Sequence, residues 1–118
     1  MGVTLLIVDD HAGFRSFARA LLEAEGYDVV GEAADGQSAL PAVDALDPDV
    51  VLLDVALPDL DGFAVCERLT ERDPGRPAVV LTSSRDASAF RRRLAASGAR
   101  GFIPKNDLSG LALDAMTA

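Results

Sequence analysis

Short apolar runs alternate with amphipathic segments along this 118-residue chain. Each run has the length and the apolar character of a strand, and the segments between the runs repeat their apolar residues at a helical spacing. Regular alternation of strand and helix predicts a parallel sheet covered by helices on both faces. The five predicted strands are residues 4–8, 27–33, 50–54, 78–82 and 101–104.

The polarity of the five strands predicts their order in the sheet. The first, third and fourth runs are the most continuously apolar, as expected for central strands buried on both faces. The second strand contains Asp28 and Glu32 and the fifth contains Pro104, which favours edge positions for both. The predicted fold class is α/β, a flavodoxin-like (βα)5 single domain over residues 1–118, with strand order 2-1-3-4-5.

Candidate caps delimit the helical segments. Gly26 is expected to end the first helix in a left-handed conformation. Ser38 is the predicted cap of the second helix, which places Pro41 in the first turn, where no backbone hydrogen bond is lost. Asp107 is the predicted cap of the fifth helix. The apolar faces assigned to the five helices include Phe14, Phe17, Ala18, Leu21 and Leu22; Val43 and Leu46; Phe63, Cys66 and Leu69; Phe90, Leu94 and Ala95; and Leu108, Leu111, Ala112 and Ala115.

Composition and charge narrow the function classes. The formal net charge of −8 argues against direct nucleic-acid binding, because phosphate contacts need a basic surface. No apolar stretch is long enough to cross a bilayer, and the first residues lack the pattern of a signal peptide. Cys66 is the only cysteine, so an internal disulfide is impossible and a reducing, cytoplasmic location is expected.

Polar residues follow the strands that border the predicted crevice. Asp9 and Asp10 follow the first strand, Asp54 ends the third, Thr82 ends the fourth and Lys105 follows the fifth. The carboxyl ends of parallel strands meet at one edge of the sheet, so these side chains are expected to converge. Asp54 in particular needs a partner, because an ionised carboxylate at the end of a buried strand is energetically costly unless it is paired.

The chemistry of the converging residues predicts a phosphoryl-transfer site. Three carboxylates placed close together raise one another's pKa or require a cation. Mg²⁺ is the natural cation, because it combines carboxylates, a backbone carbonyl and waters with a phosphate oxygen. Lys105 and Thr82 are suited to bind phosphate oxygens. Asp54 is then suited to be a nucleophile that forms an acyl phosphate.

Taken together, these motifs resemble the receiver domain of bacterial two-component response regulators. The acid pair lies in IVDDH, the acceptor in LLDVALPDLDG, the hydroxyl in LTSS, and the aromatic and the lysine in GFIPK. The forms DDH and SGARGFIPK are most similar to the NarL/LuxR-type branch. The resemblance implies that Asp54 takes a phosphoryl group from a phosphohistidine on a sensor histidine kinase.

The resemblance also implies a role for each neighbouring residue. Asp9, Asp10, Asp54 and the backbone carbonyl of Ala56 are expected to hold Mg²⁺, with Asp10 as the direct ligand of the pair. Thr82 and Lys105 are expected to bind the phosphoryl group, and Phe102 is expected to follow the threonine inward as a switch aromatic. Control of a C-terminal DNA-binding output domain or another partner through the side of the fourth helix, fifth strand and fifth helix is implied, as is a homodimer.

Three positions depart from the common pattern of that family. Pro104 precedes the lysine instead of following it, which leaves the isomer of the bond before this proline open. Ala56 and Ser84 lie two positions after Asp54 and Thr82. Both are small, which predicts that water reaches the acyl phosphate easily and that the modified state is short-lived.

Several other polar residues are interpreted as structural. Asp59 is interpreted as a solvated loop residue, and Asp61 is expected to form a turn or to cap the third helix. His11 is interpreted as structural rather than as a metal ligand or a phosphorelay residue. The arginines at 91–93 are interpreted as a solvated helix face that could also contribute to a partner surface.

Three competing functions stay open at this point. A flavodoxin-like electron carrier would need a phosphate cradle after the first strand and aromatics to stack the flavin, but this chain places DDH there and has no Trp and one Tyr. A haloacid-dehalogenase-type phosphatase would carry its nucleophile after the first strand, with a second Asp two positions on. A receiver-like docking module that acts without phosphorylation is the third alternative.

Overall fold

The computed structural model describes residues 2–117, which form five strands, five α-helices and two short 3-10 helices. No helix in this range combines the length and the apolar character needed to cross a membrane. The strands are β1 (Thr4–Val8), β2 (Asp28–Ala33), β3 (Val50–Asp54), β4 (Ala78–Ser83) and β5 (Gly101–Pro104). The helices are α1 (Ala12–Ala24), α2 (Gly36–Leu46), α3 (Gly62–Arg72), α4 (Arg91–Ala96) and α5 (Gly110–Thr117), with 3-10 helices at Ala87–Phe90 and Lys105–Asp107.

The strands are all parallel and lie in the order β2-β1-β3-β4-β5, which confirms the predicted topology. Every residue of β3 is buried, as its unbroken apolar run indicates. Val8 at the end of β1 is in register with Leu53 in β3. The residues that follow these two strands therefore emerge side by side, at the point where the strand order reverses.

The sheet separates two apolar cores, because successive side chains of a strand point to opposite faces. Val8 and Leu53 contribute to the core beneath α2, α3 and α4, whereas Ile7 and Leu52 contribute to the core beneath α1 and α5. Cys66 is fully buried in the first core, where desolvation raises the pKa of its thiol. The cysteine is therefore a core residue, as predicted.

The predicted start of α2 is wrong. Asp35, not Ser38, is the N-cap, and its carboxylate accepts a hydrogen bond from the Ser38 backbone N–H at 2.7 Å. The helix begins at Gly36, so Pro41 lies in its second turn rather than its first. Asp35 is in extended conformation and can aim its oxygen at the first turn, which is the geometry of a capping carboxylate.

The predicted cap of α5 is also wrong. Asp107 ends the 3-10 helix at Lys105–Asp107, and α5 begins only at Gly110. The Ser109 hydroxyl accepts a hydrogen bond from the Ala112 N–H at 3.0 Å and so takes the capping role. The expected ending of α1 is confirmed, since Gly26 has a φ of 100°, which side chains other than glycine rarely adopt.

Five of the residues assigned to apolar helix faces are exposed instead, namely Phe17, Leu46, Ala95, Leu111 and Ala115. Phe17 is 57% exposed and Leu111 is 81% exposed. The fully buried positions of α1 are Ala18 and Leu22, and the Phe17 ring lies outside that stripe, 6.4 Å from the ring of Phe14. The apolar periodicity therefore predicts a wider buried face than the sheet covers.

Candidate functional site

Asp54 is the last residue of β3 and is only 2% exposed. Its Oδ1 accepts a hydrogen bond from the Ala56 N–H at 3.1 Å, and its Oδ2 lies 3.3 Å from Lys105 Nζ. Backbone pairing continues past the strand, because the Val55 N–H donates to the Thr82 carbonyl at 3.0 Å. The sheet therefore holds this carboxylate at a fixed place with a cation beside it.

The loop after Asp54 folds back against the end of β3. Gly62 donates its N–H to the Val55 carbonyl at 3.0 Å, and a side chain at this position would place Cβ 2.2 Å from the Asp54 carbonyl oxygen. Only glycine permits this close approach of two backbone segments. Asp61 caps α3, as expected, by accepting a hydrogen bond from the Phe63 N–H at 2.8 Å.

Asp9 and Asp10 bring two more carboxylates to the same edge. Asp9 is fully buried, whereas the side chain of Asp10 is 34% exposed. The His11 backbone N–H donates to Asp9 Oδ1 at 2.8 Å, and His11 Nδ1 lies 3.1 Å from that oxygen and 3.2 Å from Asp10 Oδ1. His11 therefore contacts both acids and belongs to the cluster. The sequence, in which this is the single histidine, does not predict these contacts.

Lys105 bridges two of these acids. Its Nζ lies 2.8 Å from Asp9 Oδ2 and 3.3 Å from Asp54 Oδ2, and 4.5 Å from the centroid of the Phe14 ring. Desolvation opposes the charge on this amine, but hydrogen bonding and attraction to the two carboxylates outweigh it and raise the pKa of Lys105. The lysine is therefore a fixed cation in the site.

The electrostatic environment of Asp54 disfavours its ionised form. Desolvation by burial is the largest effect, and the negative charge of Asp9 adds to it, so the pKa of Asp54 is raised above its usual 3.8. The Ala56 N–H and the Lys105 ammonium act in the opposite direction without cancelling the shift. The carboxylate is thus held in a state that an additional cation would stabilise.

The acid cluster fits a hard divalent cation. One donor atom from each of Asp9, Asp10, His11 and Asp54 lies within 4.8 Å of the others. Asp9 Oδ2 is buried, and the contact that the described residues give it is the ion pair with Lys105 Nζ at 2.8 Å, which leaves acceptor capacity on this oxygen. Carboxylate oxygens with unfilled acceptor capacity are the ligands that Mg²⁺ prefers.

Thr82, which is in register with Asp54, and Phe102 both contact residues outside the cluster. The Thr82 side chain is fully buried, and its Oγ1 donates a hydrogen bond to the Ile103 carbonyl at 2.7 Å. Phe102 is 8% exposed, and its ring centroid lies 5.9 Å from that of Phe90, which in turn lies 5.6 Å from that of Phe63. The Thr82 hydroxyl is therefore bound to the backbone of β5, whereas the Phe102 ring packs in the core beneath α2, α3 and α4.

Asp59 and Arg93 make structural contacts that the sequence analysis does not predict. Asp59 is not a free loop residue, because its carboxylate accepts hydrogen bonds from the N–H groups of Gly36 and Gln37 at 2.8 and 2.9 Å. Desolvation opposes ionisation, but these backbone donors lower the pKa of Asp59. In the exposed run 91–93, Arg93 pairs with Asp61 and lies 4.5 Å from the centroid of the Phe63 ring.

Comparison with known proteins agrees with this architecture. Residues 5–113 match the family described as the response regulator receiver domain. The chain is 39% identical over 103 residues to the transcription regulator BvgA of Bordetella pertussis, which covers 87% of this chain and 49% of BvgA. The chain thus spans about half the length of that curated relative.

Solved structures give the same result. The receiver domain of NarL from Mycobacterium tuberculosis shares 34% identity with a TM-score of 0.84, over 99% of this chain and 98% of that one. A LuxR-family two-component response regulator from Aurantimonas shares 29% identity with a TM-score of 0.89, over 99% of this chain and 86% of that one. These relatives confirm the predicted NarL/LuxR-type branch. The chain belongs to the response regulator receiver domain family.

Proposed function

We propose that this receiver domain is a phosphorylation switch in which Asp54 accepts a phosphoryl group from a phosphohistidine of a sensor histidine kinase. The observation that carries the proposal is the placement of one buried carboxylate, Asp54, between a fixed ammonium 3.3 Å away and the neighbouring acids Asp9 and Asp10. A buried acid with a raised pKa, adjacent to a cation, is suited to nucleophilic chemistry.

The residues of the site have distinct tasks in this reaction. A carboxylate oxygen of Asp54 attacks phosphorus, the P–N bond breaks, and its electron pair leaves with the imidazole nitrogen of the kinase. Lys105, already 3.3 Å from Asp54 Oδ2, offsets the charge on the phosphoryl oxygens. Mg²⁺, held by Asp9, Asp10, Asp54 and the Ala56 carbonyl, supplies the remaining charge neutralisation when bound.

Phosphorylation then changes the hydrogen-bond partner of Thr82. The modified Asp54 presents new acceptor oxygens and a charge of about −1.5 to −2, which compete with the Ile103 carbonyl for the Thr82 hydroxyl. Movement of that hydroxyl toward the phosphoryl group frees space beneath β5, into which Phe102 shifts. The α4-β5-α5 side consequently rearranges and controls an output domain or another partner.

The wider biological setting follows from the same proposal. Residues 1–118 act as one receiver domain in the cytoplasm, where the sensor kinase presents its phosphohistidine. A DNA-binding output domain, in line with the transcription regulators among the relatives, is the proposed C-terminal partner, and a homodimer is the proposed assembly of the phosphorylated form. The domain itself is regulatory and assists only its own phosphorylation and dephosphorylation.

Intact-mass measurement tests the proposal directly. Incubation with Mg²⁺ and acetyl phosphate is expected to add about 80 Da, the increment of one phosphoryl group. Asp54→Asn is expected to abolish the increment. Asp59→Asn is the matched control, because this carboxylate lies in the loop that follows Asp54 and binds backbone N–H groups outside the cluster. A wild-type protein that gains no mass would favour the docking module that acts without phosphorylation.

A further inference from the structure

Arg15 on α1 reaches the backbone of the acid pair, a contact that the sequence pattern does not indicate. Its Nη1 donates a hydrogen bond to the Asp9 carbonyl oxygen at 2.6 Å, and its Nε donates to Glu32 Oε1 at 3.0 Å. The other carboxylate oxygen of Glu32 accepts from Arg19 Nε at 2.7 Å. Hydrogen bonding to Arg19, followed by that to Arg15, lowers the pKa of Glu32, so this carboxylate is a lasting anchor for both arginines.

The Arg15 contact fixes the peptide unit that joins Asp9 to Asp10. The preceding peptide is held too, because the Asp9 N–H donates to the Ala33 carbonyl at 3.0 Å. A peptide unit is planar, so the direction of the Asp9 carbonyl sets the direction in which the chain enters Asp10. The side chain of Asp10 is 34% exposed and is not confined by core packing.

We propose that Arg15, oriented by Glu32, is a positioning residue that sets the direction of Asp10 for cation binding. This inference rests on the proposed Mg²⁺ site. The positive charge of Arg15 by itself disfavours a nearby cation, so any gain in affinity must come from geometry rather than from charge. Groups that orient a metal ligand without touching the metal typically account for about 10- to 100-fold in affinity.

Two substitutions at Arg15 separate these effects. Titration calorimetry with Mg²⁺ is expected to show a dissociation constant raised by about tenfold or more in Arg15→Ala. Arg15→Lys keeps the charge, but a single ammonium cannot reproduce the forked contact with Glu32 and the Asp9 carbonyl, so its affinity is expected to fall as well. If the charge of Arg15 were its only influence on the site, Arg15→Ala would bind Mg²⁺ more tightly.

Arg19→Ala is the matched control. It removes the same charge from the same helix and breaks an ion pair with the same carboxylate, but it leaves the hydrogen bond from Arg15 to Asp9 in place. Its Mg²⁺ affinity is expected to stay within about twofold of the wild type, because partly exposed ion pairs contribute little. Thermal unfolding of every variant verifies that the fold is retained, and Arg15→Lys provides the test if Arg15→Ala does not fold.

The outcomes distinguish this inference from the proposed function. Unchanged or tighter Mg²⁺ binding in both Arg15 variants, or an equal loss in Arg19→Ala, overturns the positioning role. A wild type that gains the phosphoryl mass while the Arg15 variants bind Mg²⁺ normally refutes the positioning role alone. A wild type with Arg15-dependent Mg²⁺ affinity that never gains the mass supports the positioning role and refutes the proposed phosphoryl transfer alone.

Discussion

Two aspartates at opposite ends of β3 occupy surroundings with opposite effects on a carboxylate. Asp49, just before the strand, accepts hydrogen bonds from the backbone N–H and the hydroxyl of Thr4 at 3.0 and 3.1 Å, and it pairs with Arg76. The Thr4 backbone N–H is the largest influence, and together these contacts lower the pKa of Asp49. At the other end of the strand, desolvation raises the pKa of Asp54.

This difference separates a structural carboxylate from the proposed phosphoacceptor. The contacts of Asp49 are satisfied within the domain and join the start of β1 to the start of β3. Asp54 lies beside another buried acid and is neutralised only partly by one lysine. The amino end of the sheet therefore stabilises the fold, whereas the carboxyl end keeps negative charge that is suited to a cation and a phosphoryl group.

The largest expected change in stability comes from displacing the loop that follows Asp54 at the carboxyl end of the sheet. Gly62→Ala forces Cβ against the backbone of Asp54 and Val55, so we expect the free energy of unfolding to fall by about 3 kcal/mol. Chemical denaturation measures this change. Gly13→Ala is the control, because nothing lies within 4 Å of its added Cβ and alanine favours the helix. Comparable destabilisation of the two variants would contradict the predicted backbone clash.

Mg²⁺ is expected to stabilise the folded domain through the carboxyl end of the sheet and not through its amino end. At a concentration about 100 times its dissociation constant, Mg²⁺ should raise the free energy of unfolding by about 2.7 kcal/mol, because only the folded protein gathers the acids. Asp54→Asn should lose most of this gain, whereas Asp49→Asn, with the same change in charge, should keep it. Thermal unfolding with and without the ion measures the difference, and an equal gain in both variants would show that the ion binds elsewhere.

Without a metal ion, removing the charge of Asp49 and removing the charge of Asp54 are expected to change the free energy of unfolding in opposite directions. Asp49→Asn weakens hydrogen bonds at a satisfied carboxylate and should destabilise the domain at neutral pH by about 1 to 2 kcal/mol. Asp54→Asn removes a buried charge next to Asp9 and should stabilise it by about 1 kcal/mol. Chemical denaturation at pH 7 without divalent ions compares the variants. Changes of the same sign would remove the distinction between a structural carboxylate and the proposed phosphoacceptor.

The pH dependence of these differences follows from the pKa directions. Because the pKa of Asp54 is raised in the folded state, its charge begins to lower the free energy of unfolding as the pH rises from 3.8 through the folded-state pKa. The stability of Asp54→Asn relative to the wild type should therefore grow over that interval. The lowered pKa of Asp49 means that its stabilising contribution is present above 3.8 and is lost as the pH falls through the folded-state pKa. Unfolding series across acidic pH measure both trends.

The smallest expected effect concerns the lifetime of the acyl phosphate. Ala56 and Ser84 are both exposed, and their small side chains are expected to leave water a path to phosphorus. Ala56→Leu is expected to slow the loss of the phosphoryl group by a few-fold, about 1 kcal/mol in the barrier. Decay of the added mass with time measures this rate, and an unchanged decay would remove the proposed water path.

The sequence alone determined the sheet and the set of residues at its carboxyl edge. Unbroken apolar runs identified β1, β3 and β4 as central strands, because burial on both faces leaves no place for polar residues. Parallel topology then brought Asp9, Asp54 and Lys105 to one edge, since strand ends in such a sheet are neighbours whatever their separation in the chain. These features follow from local pattern and chain order.

Only the tertiary structure decided which polar groups contact one another. The hydrogen bond of the Thr82 hydroxyl and the binding of the start of α2 by Asp59 join residues distant in the sequence. The contact of Arg15 with the Asp9 carbonyl joins a helix to the end of a strand. Spacing predicts the period of an element, but the width of its buried face, and hence the exposure of Phe17, depends on what packs against it. A hydrogen bond requires its two heavy atoms to lie within about 3 Å of each other. For atoms on separate elements, this distance is reached only in the folded protein.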